Sequence, residues 1–438
     1  MHVVVCGAGP VGAAVALLLA ADGHQVTVLD QRPDLPPSDV PDAHGQSART
    51  DRTEQSRTVS DRLRATEEPL LLLLPGAMGM VSRELPVLAR KLASASAVVA
   101  GGSDLVAHRT VIFSALSEEL ARTHGIRYER GVGVVSLLTG NERLPGRPHI
   151  QGVLTDAGEA FLADLVVDAA GRDSQMVKML SEVGAPRPLE ELEDTGFRLY
   201  TRHFSSPKAT AGRGSWSLQH FDSVSVAVLS AGHGLWSMTL CIGDDDLELY
   251  SLAGPSAWSR AAGLYETLLP RLAGCPQPGV WVTSRLESRY RRFVLGGRPV
   301  ATGTVSVGDA WAATNPLLGL GPSMGLLHAF LLRDAVRQGG PEEIAVRFDR
   351  HTETVLTPLH DRITDWEQQL RARDGGVPGD PTDAAADHDA GSVPGPAGLA
   401  RELLARFSML ASNAASSTRT GPSRAELVET LAHHSTGA

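Results

Sequence analysis

The sequence predicts an α/β chain in which a parallel sheet, covered by helices, is interrupted by a mostly antiparallel sheet and followed by C-terminal helices. Three observations carry that expectation. Residues 2–30 read as strand, glycine turn, helix and second strand. Apolar runs leading into an acid and a glycine return at 165–172 and 300–309, and the unbroken aliphatic run at 165–167 suits a strand buried on both faces. Between 195 and 295 the pattern changes to the alternation of antiparallel strands, and five of the six tryptophans fall between 216 and 311.

His2 to Cys6 is the first strand, Ala13 to Ala21 has helical character, and Val26 to Asp30 is the second strand. At the first junction Gly7, Gly9 and Gly12 stand in G-x-G-x-x-G spacing. Gly7 allows the tight turn, Gly9 lets the backbone approach a pyrophosphate, and Gly12 lets the helix pack closely on the strand. The helix N-terminus offers N–H groups and a positive dipole end to phosphates. Asp30, at the strand tip, is placed to accept both hydroxyls of an adenosine ribose. The unit reads as a dinucleotide site.

Gln31 to Pro37 is an exit loop. Residues 38–68 are almost wholly polar and cannot bury a helical stripe, so a mobile loop is expected. Leu70 to Leu74 reads as a buried strand or a helix start. Leu85, Leu88 and Leu92 have helical spacing within 82–100, and His108-Arg109-Thr110 opens another helix. Tyr128 to Leu138 reads as one strand, 141–149 as a turn-rich connection, and 151–155 with 160–162 as a hairpin around Asp156-Ala157-Gly158. Leu165 to Asp168 enters a glycine turn, with Ser174 capping the next helix. Phe197 to Phe204, Ser223 to Leu229 and Leu235 to Ile242 alternate. Helices are expected at 322–336, 343–371 and 397–410, with a Gly/Pro-rich linker at 372–398 and a loose tail from Ala411.

With 438 residues, 42% of them hydrophobic, the chain can bury a core large enough for two intertwined domains. A net charge of −10 and no Lys/Arg-rich run argue against nucleic acid. Cys6, Cys241 and Cys275 are scattered and odd in number, which fits a reducing cytoplasm without a disulfide framework. A strand beginning at residue 2 leaves no room for a signal peptide, and no apolar run reaches the length of an integral membrane segment. His108, His203, His220, His233 and His328 show no ligand spacing, so no metal is expected. No G-x-S-x-G supports a hydrolase triad.

Three stretches stand in order: the glycine turn with Asp30; Asp168-Ala169-Ala170-Gly171-Arg172; and Gly308-Asp309-Ala310 followed by Asn315-Pro316-Leu317-Leu318-Gly319-Leu320-Gly321-Pro322. Over residues 1–35 and 105–336 they resemble the p-hydroxybenzoate hydroxylase-like (aromatic hydroxylase) family of FAD-dependent monooxygenases. The resemblance implies an FAD-binding Rossmann-like (GR2-type) domain with an inserted, mostly antiparallel substrate-binding sheet and C-terminal helices. Its parts would be 1–190 and 299–371 for the FAD domain, 191–298 for the sheet, 372–398 for the linker and 399–438 for the last helix and tail.

The resemblance implies FAD as cofactor, with Gly7, Gly9, Gly12 and Asp30 on the ADP half and Arg109, Asp309, Gly319 and Gly321 on the flavin half. It also assigns cofactor contacts to Pro10, Val11, Gln31, Arg32, Val134, Asp168, Gly171, Gly308, Pro316 and Pro322. Asp309 at a strand tip would bind a ribityl hydroxyl, and the helix opened by Pro322 would stabilise negative charge on reduced flavin. No catalytic residue is assigned, because the cofactor carries the hard step. The implied reaction is insertion of one oxygen atom, by hydroxylation or epoxidation, into an apolar or aromatic small molecule in secondary metabolism. NAD(P)H is the implied reductant, acting at a transient site or through a separate flavin reductase. The alternatives are a halogenase of the same fold, for which W-x-W is missing, a flavin dehydrogenase or reductase, and a flavin-less binding protein. Three points depart from the family. Residues 38–68 do not match the segment that supplies an FAD-contacting arginine, leaving Arg49, Arg52 and Arg57 as candidates. Trp311 replaces a small residue, in a position to stack near the ring. Pro322-Ser323-Met324-Gly325 replaces the usual small-Asn run. Tyr200 and Arg202 face either substrate or sheet packing.

Overall fold

A computed structural model describes residues 1–32, 70–95, 97–98, 105–205, 216–222, 224–232, 235–265, 274–284, 286–340, 342–371, 395–417 and 421–432. The expected loop at 38–68, its three arginines, His233 and the linker up to 394 lie outside the described residues.

The chain opens with β1 (His2–Cys6), α1 (Pro10–Ala21) and β2 (Gln25–Asp30). Next come β3 (Leu70–Leu73), α2 (Pro75–Glu84), α3 (Pro86–Ala95), β4 (Ala97–Val98), β5 (Leu105–His108) and α4 (Arg109–Arg122). They are followed by β6 (Ile126–Arg130), β7 (Val134–Leu144), β8 (Arg147–Thr155), β9 (Ala160–Leu162), β10 (Leu165–Asp168) and α5 (Met176–Glu182). The insertion contains β11 (Leu189–Asp194), β12 (Phe197–Ser205), β13 (Trp216–His220), β14 (Ser225–Gly232), β15 (Leu235–Gly243), α6 (Pro255–Gly263), β16 (Cys275–Pro276), β17 (Trp281–Thr283) and β18 (Glu287–Arg292). The return carries β19 (Val294–Leu295), β20 (Arg298–Pro299), β21 (Thr304–Ser306), β22 (Ala312–Ala313), α7 (Gly321–Arg337), α8 (Ile344–Val355), α9 (Thr357–Arg371), α10 (Pro396–Ser417) and α11 (Arg424–Ala432).

The central sheet has the order β21-β10-β1-β2-β6, all parallel. Its register aligns Cys6 with Asp168 and Asp168 with Ser306, so the carboxyl ends of β1, β10 and β21 lie together. Both faces are covered, which explains the unbroken aliphatic runs. Val3, Val5, Val28 and Val167 point into the core formed with α1 and α7. Val4, Cys6, Leu29 and Val166 point into a second core, beneath Ile150, Val153 and Phe161 of the β7–β9 meander and Met176 and Leu180 of α5.

The inserted sheet has the order β13-β14-β15-β12-β16, with β17 also on β12. Its strands are antiparallel, as their alternation predicts. Leu199, Leu218, Ala227 and Cys241 face the main core. Tyr200, Val226, Met238 and Leu240 face the other way, onto Trp258, Tyr265 and Leu427.

Tyr128 to Leu138 is not one strand. The chain turns at Gly131 (φ 68°), so β6 completes the parallel sheet while β7 starts another. The 141–149 stretch is mostly strand, in a hairpin that pairs Leu144 with Arg147. The tail is not loose from Ala411: α10 runs to Ser417, and α11 buries Leu427 and Leu431. The cysteines are free, with Cys6 and Cys241 buried. Among the described residues no helix is long and apolar enough to cross a membrane, and no group of three or more His, Cys, Asp or Glu side chains could hold a metal ion.

Candidate cofactor site

The first turn forces glycine at two places. A Cβ on Gly7 (φ 108°) would lie 2.5 Å from the Ala169 carbonyl oxygen, and one on Gly12 would lie 2.0 Å from that of Gly7. Gly9 differs, since a Cβ there meets nothing within 4 Å. It is also the N-cap of α1, has no side-chain cap, and is followed by Pro10 in the first turn. The first N–H groups of α1 therefore face open space beside a residue without a side chain, which suits a pyrophosphate.

The far end of the groove is built by the Gly308–Ala310 turn and the start of α7. Val11 is the meeting point. A Cβ on Gly325 would lie 2.4 Å from its Cγ2, and one on Gly308 would lie 3.1 Å away. The helix starts of α1 and α7 and the Asp309 turn are thereby drawn to one place. Before α7, Asn315 Oδ1 caps the Pro316–Leu318 turn by accepting from Leu317 N, and Gly319 takes a left-handed φ of 64°. Helix α7 has no side-chain cap, carries Pro322 in its first turn, and leaves Gly321 open. Ser323 Oγ accepts from Leu74 N at 3.0 Å, which ties the end of β3 to this loop.

Asp309 pairs with Arg172, Nε to Oδ2 at 3.3 Å, and 42% of its side chain stays accessible. Its depth in the fold raises its pKa, and Arg172 and Arg109 oppose that rise. Arg172 also donates to the Glu287 and Thr314 carbonyls, so one guanidinium joins the second and third sequence stretches. Below the turn, Gly308 N–H donates to His328 Nδ1 at 3.1 Å. His328 Nε2, carrying the proton, reaches Thr352 Oγ1 at 3.0 Å, and that hydroxyl donates to the Phe348 carbonyl. Complete burial lowers the His328 pKa to about 3, so the imidazole is neutral.

At the adenosine end Asp30 is 5% exposed. Its Oδ1 accepts from Arg32 N at 3.2 Å and Arg32 Nε at 3.0 Å. Its Oδ2 accepts from Arg32 Nη2 at 2.8 Å and Tyr128 Oη at 3.3 Å. A carboxylate has about four acceptor directions, and Arg32 and Tyr128 occupy them here. The Arg32 guanidinium lies over the Phe113 ring at 4.4 Å and that of Arg109 over the same ring at 4.9 Å. Asp30, Arg32, Phe113, Arg109 and Asp309 thus form one line along the groove, the last link electrostatic. Val134 begins β7 just past Val132, whose N–H donates to the Asp30 carbonyl, and Gln31 is exposed beside it. Gly171 (φ 73°) opens the turn that presents Arg172.

Two expectations are corrected. Asp168 is not open to a cofactor. It is 2% exposed and accepts from Ser174 Oγ at 2.6 Å, Ser306 Oγ at 3.0 Å and Ala170 N at 3.2 Å, which makes it a latch between β10 and β21. Trp311 does not stack in the groove but lies beneath the turn, 7% exposed, edge-on to His328 at 4.7 Å and to Tyr290 at 5.7 Å. Tyr200 and Arg202 prove to be sheet packing. The Tyr200 carbonyl accepts from Trp258 Nε1, and Arg202 donates to the Pro255 and Gln277 carbonyls. Sequence reasoning missed Phe113, although it stands one helical turn after Arg109, and it missed His328, which carries no motif. A separate, mostly apolar pocket lies behind the turn, lined by Phe293, Val300, Phe348, Thr352 and Asp349; Asp309 and Arg109 are not among its walls.

Residues 1–188 match the family described as FAD binding domain. Protein Rv3254 of Mycobacterium tuberculosis (strain ATCC 25618 / H37Rv) is 26% identical over 392 residues, covering 82% of this chain and 78% of that protein. PqsL of Pseudomonas aeruginosa, in complex with 2-aminobenzoylacetate, shares the fold with a TM-score of 0.60 at 15% identity, over 85% of this chain and 98% of that one. The tetrameric form of 2-methyl-3-hydroxypyridine-5-carboxylic acid oxygenase gives 0.55 at 16%, over 85% and 91%. Tetracycline destructase Tet(55) gives 0.53 at 13%, over 96% and 98%. The N-terminal part of this chain is an FAD-binding domain, and the whole has the fold of the p-hydroxybenzoate hydroxylase-like FAD-dependent monooxygenases. Its cofactor is FAD.

Proposed function

We propose that the chain is an FAD-dependent monooxygenase that inserts one oxygen atom, by hydroxylation or epoxidation, into an apolar or aromatic small molecule, with NAD(P)H as reductant. The observation that supports this best is the line from Asp30 through Arg32, Phe113 and Arg109 to Asp309, which joins two carboxylates to two uncapped helix starts in one groove. The N–H groups of Val11 and Gly12 would hold the pyrophosphate, with Gly9 clearing its approach. Asp30 would take the ribose hydroxyls once Arg32 turns aside. Asp309, fixed by Arg172, would hold the ribityl chain, and the start of α7 would face the flavin where reduction places negative charge. When bound and reduced, FAD supplies the oxygen-transfer chemistry. The protein's share is to bind, orient and exclude water.

The test is mass spectrometry of the purified yellow protein with NAD(P)H, labelled dioxygen and candidate aromatic compounds. Gain of one labelled oxygen is expected. Gain of chlorine would indicate a halogenase, and oxidation without a gained atom a dehydrogenase. Protein that retains no flavin would overturn the reading.

A further inference from the structure

We infer that the substrate is an uncharged aromatic molecule, seated through a hydroxyl or carbonyl on the Thr201–Thr239 pair of the inserted sheet rather than anchored by a carboxylate. This rests on the monooxygenase reading and names the chemistry of the same site.

The groove-side face of the sheet follows from register. Leu199, Thr201 and His203 of β12 lie opposite Cys241, Thr239 and Ser237 of β15. Ser225, Ala227 and Leu229 of β14 continue the face, with Leu218 and His220 of β13. Its ends are closed by the FAD domain. The His203 ring lies 5.9 Å from that of His108, the residue before Arg109. The His220 ring lies 5.6 Å from that of Trp366, the residue before Glu367, and Glu367 Oε1 accepts from Asn315 N. Both ends therefore connect to the cofactor groove, which puts the middle of the face across from it.

In that middle Thr201 and Thr239 are half-buried although both β12 and β15 are paired on each side. Both keep part of their surface accessible, whereas Tyr200 and Leu240 on the opposite face are buried against Trp258 and Tyr265. Their hydroxyls lie 2.8 Å apart. One proton is shared within the pair, leaving a second to donate and lone pairs to accept, which matches a neutral hydroxyl or carbonyl. The sheet's cations are on the wrong side for an acid. Arg198 faces away and is held by Asp244, and Arg202 faces away and is held by Gln277, Pro255 and Ser259. Among the described residues, β12 to β15 place no Lys or Arg on the groove side. A carboxylate seated on the Thr201–Thr239 pair would lose its hydration without gaining a cation from the described residues of these strands.

The probes are 2-naphthol and 6-hydroxy-2-naphthoate, titrated into FAD-loaded protein and read by calorimetry and by the change in flavin absorbance. We expect 2-naphthol to bind and the naphthoate to bind at least about tenfold more weakly. T201V/T239V should weaken 2-naphthol about tenfold at unchanged FAD content, and R198A should leave both affinities unchanged. Equal or tighter binding of the naphthoate, no binding of 2-naphthol, or an unaffected T201V/T239V variant would overturn the inference. Protein that binds 2-naphthol by calorimetry but retains no flavin would defeat the monooxygenase reading and leave the seat standing.

Discussion

His328 should make the fold acid-sensitive through a single proton. Its pKa is lowered from 6.5 to about 3 by complete burial, and its Nδ1 accepts from the Gly308 N–H. The folded chain therefore leaves it neutral while the unfolded chain protonates it below pH 6.5. Between pH 6.5 and 3 the unfolded state binds one more proton than the folded state, so stability rises with pH there and falls on acidification. The slope is about 1.4 kcal/mol per pH unit, or roughly 2 kcal/mol between pH 6.5 and 5. His328→Gln removes the titrating group. Urea unfolding at pH 7.5, 6.5 and 5.0 in constant salt would be followed through Trp311, whose ring lies 4.7 Å from His328. The carboxylates of Asp22 and Glu84, held below the usual range by Arg333, also cost stability in acid. They are present in both proteins and cancel in the comparison. The wild type should lose roughly 2 kcal/mol more than H328Q between pH 6.5 and 5. Equal losses would refute the neutral, buried imidazole.

Further outcomes follow from the groove. D309N should weaken FAD binding to the apoprotein by roughly 10- to 100-fold, the worth of a charged hydrogen bond, measured by fluorescence titration. G9A and G12A should separate fold from function. The Cβ of G12A falls 2.0 Å from the Gly7 carbonyl oxygen, so it should lower stability by at least about 1–3 kcal/mol, whereas G9A, with open space around it, should keep the melting temperature and lose FAD affinity. D30A should lose about tenfold more FAD affinity than R32A, because removing Arg32 frees acceptors on Asp30 that the ribose can use. A thiol reagent should label Cys275 in the native protein and all three cysteines after unfolding, since burial pushes the Cys6 and Cys241 thiols up.

Local signals made the parallel sheet and the glycine turn legible. Val3-Val4-Val5 has no polar residue to face water, and Gly7 and Gly12 stand where any side chain would strike a carbonyl. The third stretch was legible for the same reason: Gly319 and Pro322 mark a turn and a helix start by their own stereochemistry. What escaped depends on partners distant in sequence. Asp168 looks like a ligand from its strand-tip position, and only Ser306, 138 residues away, shows it to be a latch. Trp311 follows Asp309 closely, but the turn sends it beneath the groove onto Tyr290. Helix α11 shows only Leu427 and Leu431 as its buried face, too little apolar periodicity to be seen without the α6 surface they cover.

The same distinction explains the form of the groove. The two carboxylates at the ends of the groove are each already bound to a guanidinium, Asp30 to Arg32 and Asp309 to Arg172. The pairing fixes the side chains before a ligand arrives and so reduces what must be ordered on binding. It is unequal at the two ends. Arg172 is tied to two backbone carbonyls and cannot leave Asp309 without breaking them. Arg32 is held by Asp30 and a ring face and is 38% accessible, so it can swing from the carboxylate toward an arriving phosphate. The flavin half of the groove is thus rigid by construction, and the adenosine half is the end that adjusts.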